Sequence, residues 1–150
     1  MLTGSLVAFA HFLVILAMIA ALVLQMVLIS PSISFENAAR IQRADRAYGI
    51  AAVLLLGLGF LRVLYFEKGV DYYFSNDFFL LKLGLFILVG LISIYPTLLF
   101  IGWGKKLKQG SAVELGEALA KRLKKIIHFE LSLIAGIMLC ASLMAKGFGS

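Results

Sequence analysis

Residues 6–29, LVAFAHFLVILAMIAALVLQMVLI, decide the fold. Only His11 and Gln25 interrupt an apolar run that is long enough to cross a bilayer, whose hydrocarbon core takes about 20 residues of helix. A secretory signal is the competing reading. It fails because no basic segment precedes the run, and because a signal's apolar core is only roughly 7–15 residues long. The segment reads as a permanent helix. Working outward, three more runs qualify: 48–66 with Arg62 near its end, 78–103 containing Lys82, and 126–145 with His128 and Glu130 just inside its start. Their apolar residues are continuous rather than alternating, which selects helices over barrel strands. The expectation is an all-α integral membrane four-helix bundle, a single membrane domain over 1–150 with the lipid bilayer as its solvent.

Composition agrees. Of 150 residues, 62% are hydrophobic and 15% charged, and the mean hydropathy is +1.01. Soluble domains run at roughly 45–50% apolar and about 25% charged, and a chain this short has no core large enough for the surplus. Twelve Phe and five Tyr exclude disorder. One Cys excludes an internal disulfide, and two His leave too few ligands for a His/Cys zinc cage. Gly-rich phosphate loops, a nucleophile elbow, Cys-x-x-Cys and His-Glu-x-x-His are all missing, so hydrolase and kinase readings have no residues to stand on.

The net charge of +6 carries topology. Arg40, Arg43 and Arg46 lie in the first connection. Lys105, Lys106, Lys108, Lys121, Arg122, Lys124 and Lys125 lie in the third. The second holds only Lys68, beside Glu67, Asp71 and Asp77. By the positive-inside rule the first and third connections face the cytoplasm, and both termini lie on the outer, periplasmic side. The basic residues flank helices and accompany no nucleic-acid motif, so nucleic acid is not an expected partner. Ser34 with Glu36, Asn37 and Ala38 can start a short amphipathic helix in the first connection, and 114–125 reads similarly in the third.

A charge inside a spanning helix costs roughly 2.5–3.5 kcal/mol on insertion scales, so each such residue needs a reason. His11, Arg62 and Lys82 share the outer half of the bundle. Arg62 and Lys82 can snorkel to the interface, with Glu67, Asp71 or Asp77 as partners. Alternatively they neutralise an anionic ligand whose apolar body lies among the helices. Porphyrin propionates fit that description, with His11 as axial metal ligand and Met144 at a suitable depth for a second. Five-coordinate iron, or a ligand from a second subunit, stays open. In the inner half, Gln25 lies on the His11 side of the first helix, and Glu130 is expected to pair with Arg46 or Arg43. Gly57, Gly59, Gly84, Gly90, Ala135 and Gly136 are expected to allow close helix contacts. Pro96 should kink the third helix with Ser93 serving the freed backbone, Trp103 should join the cytoplasmic aromatic belt, and Tyr72 and Tyr73 the outer one.

The run from Arg43 to Gly49 (RADRAYG), then Gly57 to Arg62 (GLGFLR), Glu67-Lys68-Gly69, Asp71-Tyr72-Tyr73, Asn76, Phe79 and Lys82 to Phe86 (KLGLF) resembles the DUF2214 family of bacterial membrane proteins. The tail from Met144 to Gly149 (MAKGFG) matches the family's ending. More distantly, the arrangement is similar to the CopD-like group, which includes the HemJ type of protoporphyrinogen oxidase. That likeness rests on a His in the first helix (His11), an Arg at the start of the second (Arg46) and a Lys early in the third (Lys82). The chain departs from HemJ at the start of the last helix, where it has His128-Phe129-Glu130-Leu131. The resemblance implies a multi-pass protein of the bacterial inner membrane that binds haem b and is redox-active towards porphyrin or quinone. His11 is then the axial ligand, and Arg62 and Lys82 lie near the propionates. Two alternatives stand beside it. One is a CopD-like protein handling copper or a small ligand through His11 with Met144 or Met18. The other is a non-enzymatic, oligomeric structural subunit.

Overall fold

The computed structural model describes residues 2–66 and 74–148. Helix α1 spans Leu2–Leu28, and α2 spans Phe35–Leu61 and runs on into a π-helical turn, Arg62–Phe66. Helix α3 spans Asp77–Gly102, a short α4 spans Gly104–Lys108, and α5 spans Gly116–Ala145. Among the described residues, four helices are long and apolar enough to cross a membrane. The protein is a helical membrane bundle.

The two connections expected to form separate amphipathic helices are instead the first turns of α2 and α5. Neither ENAARIQRADRAY nor EALAKRLKKIIHFE contains a Gly or Pro, and both are rich in Ala, Arg, Lys and Glu, so nothing stops the helix before the apolar part begins. At 1.5 Å per residue, α5 is about 45 Å long and outreaches a hydrocarbon core of roughly 30 Å. One inward stripe runs the whole length of each: Ala38, Ile41, Ala44, Asp45, Tyr48, Ala51 and Leu55 on α2, and Ala120, Leu123, Ile127, Glu130 and Ile134 on α5. The spacing of three and four is the helical period. Ser34 does cap α2 as expected, accepting from the Asn37 N–H at 3.3 Å.

The helices form two hairpins, α1 with α2 and α3 with α5. α1 also touches α5, whereas α2 and α3 meet over only a short stretch. At the basic end the hairpins are sewn together. Strand β1, Ser32–Ile33, pairs antiparallel with β2, Val113–Glu114, in the register Ser32 to Glu114 and Ile33 to Val113. The Pro31 carbonyl accepts from the N–H groups of Leu115 and Gly116. Gly116 has a φ of +74°, a conformation that costs a side-chain-bearing residue energy and glycine almost nothing. Gln42 donates from Nε2 to the Phe100 carbonyl at 3.0 Å, satisfying an acceptor left over where α3 ends. Trp103 is buried here and tilts against Phe100, with centroids 4.9 Å apart. It closes the core of the basic end rather than joining an aromatic belt, because the chain turns from α3 into α4 at this residue.

The opposite end carries both termini. Asn76 is buried, caps α3 by accepting from the Phe78 and Phe79 N–H groups, and donates to the Phe148 carbonyl at 3.0 Å. The outer faces of all four long helices are apolar, as Phe9, Phe12, Leu16, Val53, Leu91, Leu98 and Leu139 illustrate, and they suit lipid. Of the glycines expected at close contacts, only two approach a neighbour. A Cβ at Gly59 would lie 3.9 Å from His11, and one at Gly136 would lie 3.7 Å from Leu85. Gly57, Gly84 and Gly90 face open space. Pro96 sits buried within α3, and Ser93 donates to the Gly90 carbonyl rather than serving the Ile92 carbonyl that the proline frees.

Candidate functional site

Two polar layers lie inside the bundle. The first is at the termini end. His11 is half-buried on α1, its Cε1 against the bare face of α2 at Gly59. Arg62 follows Gly59 by three residues, so it belongs to the same face of α2 one turn further out. Lys82 places Nζ 4.9 Å from the centre of the Phe79 ring, a cation–π contact. Phe79 packs with Val63, Leu83 and Met144. Each of the four long helices therefore contributes one of the residues singled out in the sequence: His11, Arg62, Lys82 and Met144 gather at one end. Of the loop acids offered as partners, Asp77 is exposed in the first turn of α3. Glu67 and Asp71 lie outside the described residues, as do Tyr72 and Tyr73.

The second layer is deeper and nearer the basic end. Gln25 on α1 and Glu130 on α5 are fully buried, and Asp45 on α2 is 6% exposed. The expected ion pair between Glu130 and Arg46 or Arg43 does not form. Both arginines are exposed, Arg46 donating to the Gln42 carbonyl, and neither Glu130 carboxyl oxygen has a hydrogen-bond partner. The reason is helical phase. Asp45 and Tyr48 share the inward stripe of α2 with Ala38 and Ile41, which turns Arg43 and Arg46 outward. Glu130 instead shares the bundle interior with Asp45 and Tyr48 of α2. From α3, Thr97 donates to Asp45 Oδ1 at 2.9 Å, and Ser93 lines the same cleft as Tyr48. Asp45 and Tyr48 are the residues that sequence reading missed, although their positions four and seven residues after Ile41 were the available signal.

The short contact between α2 and α3 leaves a cleft of about 390 Å³ beside this second layer. Met18, Phe86 and Val89 give it apolar walls, Gly49 and Gly90 widen it, and its polar lining comes from Tyr48, Ser93 and Thr97. His128 faces outward, on a separate surface groove with Lys124 and Lys125. Cys140 is buried with a free thiol. Among the described residues no group of three or more His, Cys, Asp or Glu converges.

With this geometry in place, a family model described as "Predicted membrane protein (DUF2214)" matches residues 3–149. The chain belongs to the DUF2214 family. The match covers both layers and all four long helices of this DUF2214 protein. No curated protein and no solved structure matches it.

Proposed function

We propose that this DUF2214 protein binds haem b at the termini end of its bundle and is redox-active towards porphyrin or quinone. The convergence of His11, Arg62, Lys82 and Met144 from four helices on one end carries the reading. The donor chemistry fits the group. His11 offers an imidazole beside the side-chain-free face at Gly59, and Arg62 and Lys82 offer cations for carboxylate groups. Met144, packed on Phe79, offers a thioether. When bound, haem supplies one-electron redox chemistry that none of these side chains has by itself. His11 would hold the iron, Arg62 and Lys82 would bind the propionates, and the Val63–Phe79 cluster would keep water from the site.

The test is an absorption spectrum of the purified full-length protein. A Soret band is expected, lost in His11→Ala and retained in His128→Ala, whose side chain faces away from the bundle. Colourless protein after expression with excess haem precursor overturns the reading. A copper reading would rest on His11 with Met144, an imidazole and a thioether at the same end of the bundle. Stoichiometric copper without haem would select it.

The same proposal places the protein in the bacterial inner membrane, basic end inward. Lys146→Cys, at an exposed position beside the C-terminus, should react with an impermeant maleimide added to spheroplasts. Lys125→Cys, at the basic end, should react only after lysis. The opposite pattern inverts the orientation.

A further inference from the structure

A carboxylate taken out of water without a hydrogen bond or counter-ion is so unfavourable that the group becomes neutral or meets a cation. Glu130 is in that position: it is fully buried, and neither oxygen has a hydrogen-bond partner. A second buried acid, Asp45, faces the same interior from α2, and two carboxyls within one apolar bundle repel each other when both are charged. Among the described residues, the groups packed around the two acids supply no compensating charge. From α2 come Asp45 and Tyr48; from α3 come only the neutral hydroxyls of Ser93 and Thr97; from α1 comes the neutral Gln25, fully buried with its own Nε2 unpartnered. On α5 itself, Lys124, Lys125 and His128 are exposed, and Arg122 stacks over Tyr95 at 5.0 Å. Met26, next to Gln25, lines the same groove as His128, Phe129 and Ser132, so Gln25 lies at the level of Glu130.

The second, independent observation is the cleft. Its polar lining groups are Tyr48, Ser93 and Thr97, and of these Thr97 donates to Asp45. Thr97 therefore ties the acid layer to the open seam between α2 and α3. We infer that Glu130 is a proton-binding site inside the bundle, with Asp45 as the neighbouring acid that keeps the proton on it and the α2–α3 cleft as the way in and out. The proton is gained and lost as such, so no electron or co-reactant is needed. The site lies apart from His11, and the inference does not depend on haem.

The test uses full-length protein in lipid nanodiscs and dicyclohexylcarbodiimide, an apolar reagent that reacts with protonated carboxyls and leaves a stable adduct. Peptide mass mapping should find the adduct on Glu130. Its rate should fall by about tenfold per pH unit once Glu130 begins to ionise, because only the protonated fraction reacts. In Asp45→Asn the repulsion that keeps the proton on Glu130 is gone, so labelling of Glu130 at a fixed alkaline pH should fall severalfold. No labelling of Glu130 at any pH overturns the inference. So does labelling of Glu130 that is indifferent to Asp45→Asn, which would make the two acids independent. Suppression of wild-type labelling by sodium relative to choline at constant pH also overturns it, replacing the proton with an alkali cation. The wild-type pH and sodium arms need no variant to fold. In Asp45→Asn and Glu130→Gln the isosteric amides keep the shape of the core, and loss of the protonated-carboxyl infrared band in Glu130→Gln gives an independent reading.

Discussion

At the termini end, Lys82 lays its ammonium over the Phe79 ring, and His11 rests half-buried against a glycine of the next helix. In the second layer, Glu130 is sealed among four helices with both oxygens unpartnered. Both layers bring ionisable groups into an apolar bundle, and they meet the cost in different ways. The first keeps its charges near the interface, where long stems and aromatic faces support them. The second gives its carboxyls no such outlet: Asp45 has the Thr97 hydroxyl, and Glu130 has no hydrogen bond, a position that a carboxyl occupies at least cost when protonated. Polar groups at the edge of a membrane bundle suit anionic ligands, while acids in its centre suit protons.

This division can be broken outright. His11→Ala should abolish the haem spectrum and leave carbodiimide labelling of Glu130 unchanged, and Glu130→Gln should do the reverse. A variant that alters both readouts joins the two layers into one site. The next largest effect separates the two hydrophobic ends. Phe100 is fully buried under Trp103 in the continuous core, so Phe100→Ala should cost about 3–5 kcal/mol in a detergent unfolding titration. Phe79→Ala, in the small cluster with Val63, should cost less. An equal loss would mean that the ends are equally well packed. Thr97→Val removes the donor to Asp45 and should cost about 1–3 kcal/mol, the range for a buried polar group left unsatisfied. The smallest effect lies on the surface. Glu117 and Lys121 form an exposed i,i+4 pair at 3.2 Å, and Lys121→Ala should leave the unfolding midpoint within error.

The bundle was legible from apolar runs alone, because a membrane span must satisfy its backbone internally and so declares itself by length. Helix starts were less legible. The cap at Ser34 was readable, yet the polar stretch after it looked like a separate element, since hydropathy marks where lipid begins and says nothing of where a helix begins. His11, Arg62, Lys82 and Met144 stood out because each is unusual for its surroundings and their depths agreed. Asp45 was hidden among arginines of similar polarity, and only the inward phase of α2 separates it from Arg43 and Arg46. Glycines misled for a related reason. A small residue permits close approach, but whether a neighbour takes up that space depends on the tilt of a different helix, so Gly59 and Gly136 are filled while Gly90 borders a cleft.

The two-residue ribbon at the basic end has a consequence for how the molecule is made. Ser32 Oγ donates to Glu114 Oε1 across 82 residues of chain, and β1 has its partner in β2. During synthesis the α1–α2 hairpin enters the bilayer long before Val113 and Glu114 emerge, so its connection waits with Pro31, Ser32 and Ile33 unpaired. Closing that ribbon should then fix the second hairpin beside the first. A nascent chain in which residues 113–116 are still inside the ribosome should hold its first connection open to protease, and a released chain should protect it.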